Sequence, residues 1–336
     1  MGGRYGRGLL HLAAAVDQQG SVDAASCAEL AQLAERGGLD FVTLDDSFAP
    51  PGPDVRSAPE VRPGPDALAV LSRVASATRR IGLVPTVTTT RTEPFRVGAA
   101  VAALDRAGRG RAGWRIDVST TEDEARLSGG RHAAPVAALW QEAGEVAEVV
   151  GRLWDGGADG SELPRPPRGR HPVLVVDATA EPARSTAARY ADVALVRVAD
   201  PARAGALRRQ LQDQAGEFGR NPGALRVLVS LLVDLGDGEY AAEPGHGGGG
   251  PRPTARGPLY RGGPVDLAEL IAAWHTADVT DGFHLVPVEP RRDLERLVNG
   301  TVGLLQHRGL FRTFYPGSTL REHLGLDRYA VTGGTP

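Results

Sequence analysis

"IGLVPTVTTTRTEPFRVGAAVAALDRAGRGRAGWRIDVST", residues 81–120, reads as a strand, a helix and a second strand in succession. Residues 81–89 form an apolar, β-branched run of strand length. Residues 93–107 place apolar side chains at helical spacing, and Pro94 falls in the first turn, where its missing N–H costs nothing. A glycine-rich break then leads to a second strand-length run, Ala112 to Val118, which opens into Ser119 and Thr120. Two strands joined through a helix lie parallel, because the crossover returns the chain to the same end of the sheet.

The same unit repeats outward in both directions. Upstream, 9–16 and 39–44 read as strands. Residues 24–38 read as a helix with a Gly-Gly stop, and 66–78 as a helix capped by Asp66 after a Pro-rich loop at 50–65. Downstream, strands are predicted at 171–178, 191–199, 225–235 and 280–288. Helices are predicted at 137–154, 180–190, 201–217, 265–276 and 291–308. Eight strand–helix pairs within 336 residues predict an α/β fold, a (β/α)8 TIM barrel occupying 1–336 as one domain. An open doubly wound sheet is the alternative. There is no internal repeat and no G-x-G-x-x-G opening a helix.

Bulk properties narrow the function. A formal net charge of −3 gives no electrostatic case for nucleic acid or an anionic membrane. All 38 cationic residues are arginine, which together with abundant Ala, Gly and Pro points to a GC-rich genome. Cys27 is alone, so internal disulfides and cysteine-based metal clusters are excluded. No apolar run approaches the ~20 residues of a membrane-spanning helix. The start "MGGRYGRG" lacks the apolar core of a signal peptide, and a cytoplasmic protein is expected.

In a barrel, chemistry sits where strands end. Here those ends are polar: "LDDS" (44–47), "TVTTTRTE" (86–93), Ser119 and Thr120 above Asp117 and Arg115, and "DATAE" (177–181). Together they would cradle a polar, phosphate-bearing ligand through hydroxyls and helix-start N–H groups; singly, each also reads as an ordinary helix cap. His11 in the first strand and His284 in the last are acid/base candidates or satisfied core histidines. Glu122, Asp123 and Glu124 lack a histidine at ligand spacing and read as a solvated face, so no metal site is expected. The Gly/Pro-rich stretch 236–263 is expected as a lid loop, with Tyr260, Arg261 and, more weakly, Arg256 as its contact residues.

"LDFVTLDDSF", "GLVPTVTTTRTEPF", "LDRAGRGRAGW", "RLWD", "AARYADVAL", "TDGFHLVP" and above all "LLQHRGLFRTFYPGSTLREHLGL" (304–326) resemble the luciferase-like flavin-dependent monooxygenases, in the branch of the nitrilotriacetate and sulfur-compound enzymes. The similarity runs in order from about residue 9 to residue 326. It implies a barrel that receives reduced FMN from a separate flavin reductase and oxygenates a small or medium organic substrate with O2, in bacterial specialised metabolism. It also implies a homodimer, and assigns 304–326 as a closing segment. Carried over residue by residue, the flavin contacts fall on Asp46, Thr88 and Thr89, and the phosphate turn on Ala178, Thr179 and Ala180. Trp140 falls where a stacking or polar contact would stand. His11 and Arg115 are the catalytic candidates. The chain departs from the family pattern at Arg115, which replaces an amide, and at Val136 and Trp140, which replace a His and a Tyr. The strand-five turn has lost a Gly, and Glu181 adds negative charge there. These departures keep two alternatives open: an F420-dependent hydride-transfer enzyme, and a flavin-free relative acting as a binding or assembly subunit.

Overall fold

A computed structural model describes residues 8–17, 23–45, 66–90, 92–120, 134–156, 166, 171–236, 245 and 249–326. Its strands are β1 (His11–Ala15), β2 (Phe41–Leu44), β3 (Gly82–Thr88), β4 (Gly113–Asp117), β5 (Val173–Asp177), β6 (Val193–Val196), β7 (Arg226–Asp234), β8 (Arg252–Thr254), β9 (Gly257–Arg261) and β10 (Gly282–Pro287). β1 to β7 pair in order and in parallel. β10 then pairs with both β7 and β1, which closes the ring into an eight-stranded barrel rather than an open sheet.

The helices lie outside the ring. They are α1 (Ala24–Arg36), α2 (Ala67–Ala77), α3 (Pro94–Gly108), α4 (Val136–Asp155), α5 (Glu181–Tyr190), α6 (Pro201–Glu217) and α7 (Pro264–Thr276), followed by α8 (Pro290–Arg296). α8 runs on through a π-helical stretch, Leu297–Val302, into α9 (Gly303–His307). The Thr301 hydroxyl donates to the Pro264 carbonyl at that widened turn. Asp23, Asp66 and Asp200 each accept from a backbone N–H in the first turn of α1, α2 and α6, which satisfies a donor the helix cannot. α3 ends at Arg109 in the left-handed conformation, φ 56°.

Strand alternation sorts side chains between two cores. Leu12, Val42, Leu83, Trp114, Ile116, Leu174 and Val176 face outward onto the helices. Ala13, Phe41, Val84, Val173, Val175, Val193, Leu195 and Leu228 fill the barrel interior. That inner cluster includes Leu320, Leu324 and Leu326, carried by the short helix α10 (Leu320–His323) and the turn beyond it. The closing segment therefore stoppers the N-terminal end of the barrel. The fit is tight at Gly82, where a Cβ would stand 2.6 Å from Leu320 Cδ1.

The stopper is held by a buried polar cluster. Asp40 Oδ1 accepts from Arg312 Nη1 at 2.8 Å and lies 3.3 Å from His11 Nδ1, while Asp40 Oδ2 accepts from Leu12 N. Burial alone would raise the Asp40 carboxyl, but His11 and Arg312 hold it below its ordinary value. Arg312 also donates to the Gly38 and His323 carbonyls.

Only part of the stretch 236–263, expected as a lid loop, lies among the described residues, and within it Arg252–Thr254 and Gly257–Arg261 are strand rather than loop. Its described part folds into the antiparallel hairpin β8–β9, and β9 joins β7 in parallel, extending the sheet above the barrel. Gly257 turns this hairpin at φ +121°, a conformation open to glycine.

Candidate active site

The barrel mouth is formed by the C-terminal strand ends. On β4, Trp114 and Arg115 point in opposite directions. The Trp114 indole faces outward and meets Trp154 edge-on at 6.3 Å, so it is core and not a wall of the mouth. Arg115 faces inward and is buried, and its Nη2 donates to Asp45 Oδ2 at 2.7 Å. Burial works against its charge, but Asp45, Asp117, Asp17 and Asp177 hold it cationic, above the ordinary arginine range. Thr86 is its register partner on β3, and the Thr86 hydroxyl is buried without a hydrogen-bond partner among the described residues.

Beyond Arg115 the network continues on both sides. Asp17, just past β1, accepts from the Asp45 backbone N–H. Burial, and after it the Asp45 carboxylate, raise the Asp17 carboxyl to about 6. Across the mouth, Arg197 Nη2 pairs with Asp177 Oδ2 at 2.7 Å, and its backbone N–H donates to the Thr179 hydroxyl at 2.8 Å. Within the barrel, His284 lies between Thr43 Oγ1 at 2.8 Å and Ser230 Oγ at 3.0 Å. Burial, reinforced by Arg115 and Arg197, lowers its pKa to about 3, so the ring is neutral at physiological pH.

The expected site residues fall in different places. Thr88 ends β3 half-buried at the mouth, in register with Asp117. Thr89 is buried, with its hydroxyl and N–H both donating to the Asp117 carbonyl. Thr179 and Ala180 open α5, where Thr179 N donates to Asp177 Oδ1 and the Arg184 guanidinium donates to the Thr179 carbonyl. Asp46 lies outside the described residues.

Two expectations are not brought to the mouth. His11 stands at the N-terminal end of β1, bound to Asp40 beside the stopper, at the far end of the barrel from Arg115. Trp140 is packed in the helical core, with the Thr186 hydroxyl donating to its carbonyl. The expected lid contacts also differ. Tyr260 is buried with its hydroxyl on the Gly263 carbonyl, and Arg261 pairs with Asp234 at 2.9 Å.

Asp17, Arg197, Thr43 and Ser230 are the members that the sequence does not single out, while Asp45 and Asp177, within "LDDS" and "DATAE", and His284 were expected there without their partners. Inward alternation from Arg115 was the available signal; the cross-strand partners needed the register. A groove of about 1000 Å3 lies beside the rim, between α1 and α8, and is lined by Glu29, Arg291, Arg292 and Asn299 among others. The Arg291–Glu29 pair spans 2.7 Å from α8 to α1. It stands outside the ring of strands and holds none of the mouth residues.

The model of the luciferase-like monooxygenase family matches residues 8–261. N-acetyl-S-(2-succino)cysteine monooxygenase of Bacillus subtilis (strain 168) is 27% identical, with 89% of each chain covered. Nitrilotriacetate monooxygenase component A of Aminobacter aminovorans is 28% identical, over 90% of this chain and 89% of that one. Both alignments are longer than this chain, so those relatives carry insertions that it lacks. Among solved structures, EDTA monooxygenase from Chelativorans sp. BNC1 superposes with a TM-score of 0.78 at 20% identity, covering 95% of this chain and 99% of that one. No described helix is long and apolar enough to cross a membrane. A closed parallel barrel, a polar C-terminal mouth and a family match through nine of its ten strands lead to one conclusion: the chain belongs to the luciferase-like monooxygenase family.

Proposed function

We propose that this chain is the oxygenase of a two-component system, taking reduced FMN from a separate flavin reductase and oxygenating a small or medium organic substrate with O2. The observation that carries the reading is Arg115, a guanidinium kept charged at the centre of the mouth in a chain of this family.

The residues present suit a reduced flavin at both ends. The Thr86 hydroxyl, unpartnered among the described residues, lies in the same layer as Arg115, so a polar ring edge set against them would satisfy a buried group. Reduced FMN, when bound, supplies the two electrons that let one atom of O2 enter the substrate while the other leaves as water. Arg115 would hold negative charge on the reduced ring by charge-assisted hydrogen bonds, where the family resemblance leads one to expect a neutral amide. Thr88 lines the mouth next to it, and Thr89 fixes the β3–β4 exit through the Asp117 carbonyl. Thr179 and Ala180, with the Arg184 guanidinium on the Ala178 and Thr179 carbonyls and Arg197 on Asp177, would frame a phosphate at the start of α5. Glu181 opposes them in the first turn, so the phosphate depends on the arginines more than on the helix dipole. His284 stays neutral and adds no second cation beside Arg115.

An anaerobic titration with reduced FMN, followed by mixing with oxygenated buffer, tests the reading. Saturable binding and a flavin spectrum whose reoxidation is slowed relative to free flavin are expected. Saturation by reduced F420 alone would replace oxygenation by hydride transfer. Failure of both to bind would leave a flavin-free binding or assembly subunit. The homodimer that accompanies the family reading is checked by sedimentation equilibrium.

A further inference from the structure

We infer that Asp17 is the proton donor of the barrel mouth, a carboxyl at the end of β1 placed to protonate the oxygen atom that leaves as water. This deepens the proposed function and rests on its reduced flavin.

Oxygenation from an anionic flavin is one proton short. Reduced FMN held as an anion beside Arg115, together with O2, the substrate and one proton, gives oxidised FMN, the oxygenated substrate and water. The flavin brings one hydrogen of that water, on N5, and an acid of the protein must give the other. Without substrate, the same anion, O2 and one proton give oxidised FMN and hydrogen peroxide, so the demand for an acid is unchanged.

Few described groups near the mouth can meet it. Arginine does not give up its proton in proteins, which rules out Arg115 and Arg197. His284 is neutral, with both ring nitrogens engaged by Thr43 and Ser230. His11 stands at the opposite end of the barrel. The Tyr260 hydroxyl is committed to the Gly263 carbonyl, and burial pushes it above the ordinary tyrosine range. Cys27 is buried beneath β1, with its thiol pushed up to about 11. Asp45 and Asp177 are ion-paired to Arg115 and Arg197, and Asp117 accepts from the Val118 N–H.

Asp17 is placed differently. Ala13 lies in the barrel interior, so alternation turns Asp17, four residues on, inward at the rim. Val16 N donates to the Thr43 carbonyl and carries the β1–β2 ladder past the end of the strand. Asp17 Oδ1 accepts from Asp45 N at 2.5 Å, and no cation is paired with the carboxyl among the described residues. The side chain is half-buried, so water can return a proton to it. The charged and titratable groups facing it are Asp45 from the end of β2, Arg115 from β4 and Cys27 from α1. Burial first and Asp45 second raise it to about 6, which leaves a protonated fraction near neutral pH.

The carboxyl is read first in the flavin-free protein. In 13C NMR of protein labelled at its aspartate carboxyls, the resonance lost in both Asp17→Asn and Asp17→Glu is expected to titrate near pH 6. A midpoint below about 4.5, the ordinary carboxylate range, would overturn the inference. Reoxidation of bound reduced FMN by O2 is read next, in a single turnover without substrate. The wild-type rate is expected to fall at least about tenfold from pH 5.5 to pH 7.5, as Asp17 loses its proton. Asp17→Asn, whose amide oxygen still accepts the Asp45 N–H, should bind reduced FMN at least as tightly. It should react at least about tenfold more slowly at pH 5.5 and show a flat profile. Asp17→Glu should bring the slope back. A flat wild-type profile, or an undiminished slope in Asp17→Asn, would sink this assignment and leave the flavin reading standing. Failure of the wild type to bind reduced FMN would overturn both.

Discussion

At the scale of single residues, Arg115 is the decisive one, because the carboxylates of the mouth are arranged around its charge. Arg115→Met would leave Asp45 without this guanidinium among the carboxylates that now share it, Asp117, Asp17 and Asp177. Breaking a fully buried pair costs about 3–5 kcal/mol. Asp45 is about one-third exposed, so water recovers part of that cost and a loss of about 2 kcal/mol is expected by urea denaturation. Asp45→Asn in the same chain should restore most of the loss, since the carboxylate that lost the Arg115 guanidinium is gone. The same Arg115→Met protein should bind reduced FMN at least about tenfold more weakly while binding oxidised FMN, which lacks the anionic edge, little changed.

Arg115 also marks how far single residues are legible. Its inward direction follows from strand alternation, and Trp114 must then face out. Its partner does not follow, because Asp45 lies on another strand and the registers of β2, β3 and β4 have to be known first. "DDS" offered two adjacent aspartates, and nothing local distinguishes the one that meets Arg115. His11 was ambiguous for a different reason. It occupies a barrel strand, but at the bottom layer, and the length of β1 alone separates a bottom residue from a rim residue.

At the scale of elements, periodicity located all eight barrel strands and the helices between them to within a few residues. The hairpin β8–β9 escaped it, since Gly and Pro mask a strand pattern and β9 takes its backbone partners from β8 and, far away in sequence, from β7. The stopper helix α10 is too short to be stable alone, and its capping box at Thr319 and Glu322 holds it together until Leu320 enters the barrel. Leu320 is fully buried among Phe41, Val84 and Leu228. Leu320→Ala should therefore cost about 2–5 kcal/mol in urea denaturation, as in other leucine truncations within closed cores. Reduced-flavin affinity at the opposite end of the barrel should be unaffected. A parallel loss of flavin affinity would show that the two ends are coupled.

At the scale of the whole molecule, two buried histidines that the fold keeps neutral lower stability in acid. His284 is lowered to about 3 and His323 to about 4, burial being the first cause in both and Arg115 or Arg312 the next. Each is depressed below its unfolded value of about 6.5, so the unfolded chain takes up the proton first. Their contribution is present above pH 6.5 and is lost as pH falls toward 4 and then 3. Between pH 7 and pH 5 each should cost about 2 kcal/mol of stability. Chemical denaturation at several pH values measures the slope, and a flat profile across that interval would contradict it. Asp40, held low by His11 and Arg312, adds to the loss only at more acidic pH.

The stopper has a temporal meaning as well. Every barrel strand is complete by Pro287, yet the leucines that fill the hollow beneath them begin at Leu320. During synthesis, which delivers the chain from its N-terminus, the ring is therefore made before its filling. Until the closing segment arrives, Phe41, Val84 and Leu228 line an open apolar bore, and this nascent form is the one a chaperone would meet.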